Sequence, residues 1–380
     1  MNESFSPSMS RRRALAAIGA VALAGAADVK PGTSELPGFW KSRLSDVAQA
    51  AREVRKGQTA VLARSAGNRE IYLVSYGPKD SRPGTANYNA ACGGQSPASY
   101  ALKEGTQRPI VLLIGPVHGG EVEGIVGLVN LLRVAETGRD WRGREWPALA
   151  QNMAKCRVLI VPVGNPDGRA RFPLDSSVGH SLDDRQAMEM GTRPDGKPYQ
   201  WPEVKRIHPM RGAAVGKLGA YFNDDGVNLM HDEWFSPLAP ETRALLTLAR
   251  QEAPDFIVSL HSHASAPSIE PTAYVPHTVK QTIQQFGDRL QKRYAAAGLP
   301  HRKGGPEPKE DGATFPPPSF NLTGALHHVC GGVAMVHESC VGVGDKPYPK
   351  LTCDQILDLE MLLFDELLQF AVEHPVKWTK

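Results

Sequence analysis

A chain of 380 residues with 41% hydrophobic and 22% charged residues is long enough for one large α/β domain or two ordinary ones. Its net charge of +3 gives no reason to expect a nucleic-acid surface or a polyanionic partner. The five cysteines (Cys92, Cys156, Cys330, Cys340 and Cys353) are too few and too scattered for a disulfide scaffold, although Cys330 and Cys340 bracket one strand and could pair.

Residues 1–27 read as an export signal. Ser10-Arg11-Arg12-Arg13 precedes an uncharged, Ala-rich run from Ala14 to Ala27, with Ala24 and Ala26 spaced as in an A-x-A cleavage site. The run is too short to span a bilayer as a stable helix, so no stable membrane anchor is expected. Paired arginines before a mildly apolar core resemble a twin-arginine signal, which implies a periplasmic or secreted protein. The bland alternative is a basic tail on a cytosolic protein.

Residues 28–58 read as a Pro/Gly-rich linker followed by a helix over 42–55, with Leu44, Val47, Ala51 and Val54 at helical spacing. The body of the protein is expected over 59–373. It opens with a hairpin, Ala60–Arg64 and Ile71–Tyr76, turning through Ala66-Gly67-Asn68. Residues 80–107 are turn-rich and read as loop. Ile110–Ile114 is a short, fully apolar run closed by Gly115-Pro116, which predicts a buried strand. His118-Gly119-Gly120-Glu121 follows, and a helix is expected over Glu121–Val134. Glycines let a backbone turn sharply, so the imidazole and the carboxylate can converge just beyond a strand end, where open α/β sheets bind ligands.

Arg157–Val163 predicts a second buried strand, ending in Asn165-Pro166-Asp167-Gly168. Residues 169–225 are polar, Pro/Gly-rich and without periodicity, a long loop of the kind that carries function. A helix over Pro240–Gln251 and a strand over Asp255–Leu260 lead into His261-Ser262-His263. A strand-like Thr272–Val275, a helix over Val279–Ala297, a loop over 302–318 and a short helix from Ser319 to Val329 come next. Gly332–Val336 is a last buried strand, running into His337-Glu338-Ser339, and Asp354–Val372 is an amphipathic helix. Strands alternating with helices predict an α/β fold, a mixed and mostly parallel central sheet flanked by helices on both faces.

Three strand ends thus carry His118 and Glu121, His261, and Glu338. Two histidines and a glutamate form a catalytic zinc set with one position left for water, and a further carboxylate is needed to take the water's proton. His118, Glu121 and His261 are the candidate ligands and Glu338 the candidate base. His263 could support His261, while His337 should point away from Glu338 by strand alternation.

The order His-x-x-Glu, Asn-Pro-Asp-Gly, Leu-His-Ser and a late strand Glu resembles the zinc carboxypeptidase A-like metallopeptidases over roughly residues 60 to 373. The resemblance implies an α/β/α sandwich with an eight-stranded sheet and one Zn2+ per chain. It assigns His118, Glu121 and His261 to the metal and the general base to Glu338. It also implies an arginine that polarises the scissile carbonyl; Arg206 is the candidate among Arg169, Arg171, Arg206 and Arg211. Two departures stand out. Gly226-Val227-Asn228-Leu229-Met230-His231 places Met230 and His231 where the family has Asn and a carboxylate-gripping Arg, and the region of the family's mobile tyrosine offers only Phe315 and Phe320.

The expected activity is therefore zinc-dependent hydrolysis of a peptide or amide bond, in the first place as a metallocarboxypeptidase. The alternative is a zinc amidase or deacylase acting on cell-wall peptides or N-acyl amino acids without reading a free carboxylate. A third reading is a catalytically dead binding protein, against which the retained set of three ligands and base counts. Oligomeric state is not legible.

Overall fold

The computed structural model describes residues 35–79, 86–102, 108–313 and 315–376; the export segment read over 1–27 lies outside them. The chain opens with α1 (Leu44–Glu53), which buries Val47 and Ala51. β1 (Gln58–Arg64) and β2 (Glu70–Tyr76) form the expected antiparallel hairpin. Within the 80–107 stretch a short α2 (Tyr88–Gly93) forms, because the Asn87 side chain accepts the Ala90 N–H and caps it. β3 (Ile110–Ile114) follows. Next come α3 (Glu123–Thr137) and α4 (Pro147–Lys155), the second opened by a proline in its first turn and absent from the sequence reading.

β4 (Arg157–Val161) leads into α5 (Pro166–Arg171). The Asn-Pro-Asp-Gly stretch is thus a helix start, with Asn165 accepting the Gly168 N–H at 2.8 Å. The expected loop over 169–225 contains α6 (Leu182–Met190), capped by Ser181, and a two-stranded ribbon of β5 (Gly191–Thr192) and β6 (Lys217–Leu218). α7 (Pro240–Glu252) precedes β7 (Phe256–His263). The strand expected at 272–275 falls instead at β8 (Ser268–Glu270), since Pro271 has no N–H with which to continue the ladder. α8 (His277–Ala296), α9 (Leu322–Cys330), β9 (Val333–Cys340) and α10 (Cys353–Glu373) complete the chain.

The main sheet has seven strands among the described residues, one fewer than the resemblance implies, in the order β1-β2-β4-β3-β7-β9-β8. β4, β3, β7 and β9 are mutually parallel, and the antiparallel pairs lie at the edges. A parallel strand buried on both faces needs apolar residues in both alternating sets, and β3 supplies them. Val111 and Leu113 pack towards α3, α4, α8 and α10, while Ile110, Leu112 and Ile114 pack towards α7 and α9. All five are 4% exposed or less. No disulfide joins Cys330 to Cys340; their Sγ atoms meet the carbonyls of Leu326 and Ala264 instead. Among the described residues no helix is long and apolar enough to cross a membrane.

Candidate metal centre

β3 delivers the chain to the carboxyl edge of the sheet, where Gly115-Pro116 ends the strand and His118 and Glu121 turn into the cleft. Neither Gly119 nor Gly120 occupies the left-handed region that the turn argument invokes. Gly119 is required by close approach: a Cβ there would sit 1.9 Å from the carbonyl carbon of Gly168 and 2.1 Å from the amide nitrogen of Arg169. The His118 turn is thus pressed onto the backbone of α5, with the Gly119 N–H bonded to Ala220 O at 2.8 Å.

His118, Glu121 and His261 are 4%, 6% and 3% exposed, and one donor atom from each lies within 4.8 Å of the others. Nδ1 of His118 stands 2.9 Å from Glu121 Oε1, and Nδ1 of His261 stands 2.9 Å from Oε2. The far nitrogens are occupied elsewhere. His118 Nε2 meets Asn228 Oδ1 at 3.2 Å, and His261 Nε2 meets Ser259 Oγ at 3.1 Å. Asn228 Oδ1 and the Glu121 carboxylate can only accept, so a metal at Nδ1 would leave the His118 proton on Nε2, facing Asn228. Tyr221 stacks on the His118 ring, centroids 3.7 Å apart at 15°, and fixes its plane. Glu121 Oε2 is buried and accepts no hydrogen bond. Two imidazole nitrogens and an orphaned carboxylate oxygen around one point are a donor set that fits zinc.

The electrostatics favour ligation at Glu121 and His118, while at His261 the charges of Glu121 and Glu338 outweigh burial and raise the pKa. Burial alone would raise the pKa of Glu121, but the imidazoles of His118 and His261 outweigh it and hold the carboxyl well below its ordinary range. Burial lowers the pKa of His118 against the pull of Glu121, which favours the neutral ring a metal requires.

His261 and Glu338 do not lie at strand ends, as expected from their sequence. β7 and β9 continue past them, and the two residues pair directly across the parallel ladder. Partners on adjacent strands lie about 4.8 Å apart and project from the same face, so Glu338 stands beside the metal group with part of its side chain open to the cleft. Burial, with Glu121 and Glu270 adding, raises its pKa to about 7 against the opposing charge of His261. His337, the next residue, faces the opposite way and meets Tyr294 Oη at 3.0 Å, as alternation requires. His263 does not support His261; its Nε2 lies near Ser268 Oγ and the Arg302 guanidinium.

Arg206 ends a short 3₁₀ turn, is exposed, and enters no ion pair among the described residues. Its neighbour Lys205 and the buried Arg185 both carry charge that acts on Glu338 and Glu121, although desolvation lowers the pKa of Lys205 on balance. Met230 is buried. His231 has its Nδ1 3.1 Å from Ser319 Oγ, and burial together with the charges of Lys205, His118 and His261 lowers its pKa to about 3. At neutral pH it is an uncharged ring.

Asp167 of the Asn-Pro-Asp-Gly stretch is structural: it accepts from Ser65 Oγ, the Gly67 and Asp224 amides and Arg69. Asn228, Ser259, Tyr221 and Lys205 escaped the sequence reading. Asn228 sits in the motif read only for Met230 and His231, and Lys205 adjoins Arg206. Tyr221 and Ser259 carry no sequence signal of their own. Beneath the centre, Arg185 pairs with buried Glu189 at 2.6 Å.

A sequence profile of the family described as zinc carboxypeptidase matches residues 50–298, a stretch that holds His118, Glu121 and His261 but ends before Glu338. No curated protein matches by sequence. The fold is similar to that of a metallo-carboxypeptidase from Burkholderia cenocepacia, with TM-score 0.51 at 15% identity over 86% of this chain and 67% of that one. It is also similar to carboxypeptidase A from Helicoverpa armigera, with TM-score 0.51 at 11% identity over 90% of this chain and 78% of that one. A metallo-carboxypeptidase from Pseudomonas aeruginosa, solved in complex with (2-guanidinoethylmercapto)succinic acid, gives TM-score 0.50 at 15% identity over 87% of this chain and 68% of that one. The chain spans about two thirds of the length of these bacterial structures.

Proposed function

The chain belongs to the zinc carboxypeptidase family of metallopeptidases, and from that premise we propose that it hydrolyses a peptide or amide bond at His118, Glu121 and His261 with Glu338 as general base. The observation that carries this reading is the direct pairing of His261 with Glu338 across β7 and β9, which sets the carboxylate beside the metal group on one face of the sheet. His118, Glu121 and His261 would hold the zinc, which when bound would supply a Lewis acid and bring the pKa of water there towards neutrality.

The remaining work falls to the chain's own groups. Glu338 takes the proton of the attacking water on its carboxylate and returns it to the leaving nitrogen, a task suited to a carboxyl raised to about 7. Lys205, whose charge is felt at Glu338 and Glu121, is the cation we assign to the developing oxyanion, in the role expected of Arg206. Asn228 and Ser259 hold the imidazoles in place through their Nε2 atoms. The leading activity is removal of a C-terminal residue, with Lys205 the available positive charge. The second reading, an amidase or deacylase, is favoured by His231: an uncharged ring cannot replace an arginine in gripping a terminal carboxylate. The export segment read over 1–27 would place either activity outside the cytoplasm.

The test is hydrolysis of matched peptides, free or amidated at the C-terminus, by the zinc-loaded full chain, read by mass spectrometry. Loss of single terminal residues from the free set alone supports a carboxypeptidase, and equal cleavage of both sets supports the amidase. Glu338→Gln should retain zinc and lose turnover by roughly 10²–10⁴-fold; wild-type turnover in that variant would remove Glu338 as base.

A further inference from the structure

Tyr221 is fixed from two sides. The Gly119 N–H of the metal turn bonds to Ala220 O at 2.8 Å, and the Tyr221 N–H bonds to Glu189 O of α6 at 2.9 Å. Its ring lies flat on the His118 imidazole, and Phe222 meets it edge-on with centroids 5.6 Å apart. The same turn that carries the metal ligands therefore sets both the backbone and the ring plane of this residue. The hydroxyl at the end of the ring is held in place before any substrate arrives.

The hydrogen bonds around that hydroxyl leave one donor over. Asn228 Oδ1 is taken by His118 Nε2 at 3.2 Å and by the Met230 N–H at 3.0 Å. The Nδ2 group is what remains of this amide, and Asn228 acts on the phenol as a donor. The phenol oxygen thus accepts from Asn228, while its own O–H meets no acceptor among the described residues. Tyr221 is 4% exposed, as little as the ligands themselves, and a buried O–H without an acceptor is unfavourable. Its surroundings are those of the metal centre, since the charges of Glu121, Glu189 and Glu338 all act on it.

We propose that Tyr221 is a catalytic residue, its hydroxyl donating a hydrogen bond to the scissile carbonyl oxygen that strengthens as this oxygen gains charge. The role rests on the metal centre being the hydrolytic site, and it gives the oxyanion a second partner. Lys205 brings charge on a flexible stem; Tyr221 brings a neutral donor of fixed direction, the kind that needs no reorganisation when the charge develops. With the His118 proton on Nε2, the bonds from His118 to Asn228, from Asn228 to Tyr221 and from Tyr221 to the substrate all run one way. In such a string each bond polarises the next.

Tyr221→Phe removes the oxygen and keeps the ring on His118. In the zinc-loaded full chain it should lower kcat by roughly 10²–10³-fold on a peptide that the wild type cleaves, with KM within about threefold. Zinc affinity, read by competition with a chelator, should not change. A second readout needs no turnover. A phosphinic peptide, whose tetrahedral anion mimics the attacked carbonyl, should bind Tyr221→Phe roughly tenfold or more weaker than wild type in calorimetry. The peptide substrate, titrated into Glu338→Gln, should lose no more than about threefold when Tyr221→Phe is added. Wild-type kcat and wild-type phosphinate affinity in Tyr221→Phe overturn the role. So does a loss of zinc affinity as large as the loss of rate, because the hydroxyl would then act only through His118. If the wild type cleaves no peptide, the hydrolase reading fails, while the phosphinate titration still decides whether Tyr221 meets the tetrahedral oxygen.

Discussion

Replacing Gly119 by alanine tests how the metal centre is built. The added Cβ would lie 1.9 Å from Gly168 C, 2.1 Å from Arg169 N and 2.5 Å from Gly168 Cα, all backbone atoms of α5. Carbon atoms in contact sit about 3.5–4 Å apart, so the His118 turn and α5 must separate by roughly 1.5 Å. α5 is held in place by Asn165 and by the Asp167 hydrogen bonds, and cannot retreat freely. Overpacking of this kind costs about 1–3 kcal/mol. The metal is more sensitive than the fold, because ligand distances tolerate only about 0.2 Å. Gly119→Ala should therefore lower the melting temperature of the metal-free protein by several degrees and weaken zinc binding by a large factor, read by competition with a chromogenic chelator. Gly120→Ala is the control. The atoms nearest its Cβ would be the ends of the Glu189 and Phe172 side chains, at 3.1–3.2 Å, which need give by only a few tenths of an ångström. If Gly119→Ala bound zinc as tightly as wild type, the claim that backbone contact with α5 sets the ligand geometry would be wrong.

Two further outcomes follow from the electrostatics. Lys205→Gln should lower kcat/KM by about 10²–10³ if Lys205 is the oxyanion cation, whereas Arg206→Gln should change it less than threefold; the reverse order would restore Arg206. Buried Glu360 has its pKa raised to about 8 by burial, with Glu123 adding and Ser339 opposing. The native chain therefore holds this proton where the unfolded chain has released it. Its contribution to stability is complete below the unfolded value of about 4.5 and falls as pH rises to about 8, by up to about 1.4 kcal/mol per pH unit. In Glu360→Gln the decline of melting temperature between pH 5 and 8 should be shallower than in wild type, and parallel curves would contradict the shift.

The apolar runs were legible because a strand buried on both faces must be apolar throughout, as in Ile110–Ile114 and Arg157–Val161. The stretch 169–225 was not. α6 buries little apolar surface, its buried residues being Arg185, Glu189 and Met190, so no hydrophobic period marks it. The ends of β7 and β9 were misjudged for a related reason: polar His261, Ser262, Glu338 and Ser339 look like strand termination, yet they pair in register because the cleft occupies one face of the sheet there. Arg206 was the candidate because the resemblance asks for an arginine; that the charge of Lys205 beside it acts on Glu338 and Glu121 depends on the fold, and composition carries no trace of it.

The sequence by itself determined the α/β class, the four residues that carry the proposed chemistry, and the loss of the arginine at position 231. Those are matters of residue type at fixed order, and each is written locally. Tertiary structure alone decided that both histidines present Nδ1, that Asn228 and Ser259 hold the opposite nitrogens, that Lys205 and Arg185 bring positive charge to the centre, and that Glu270 stands one strand from the base. Each of these depends on strand register and on the approach of segments far apart in the chain. A one-residue shift of register would send Glu338 or Glu270 to the other face without altering a letter of the sequence.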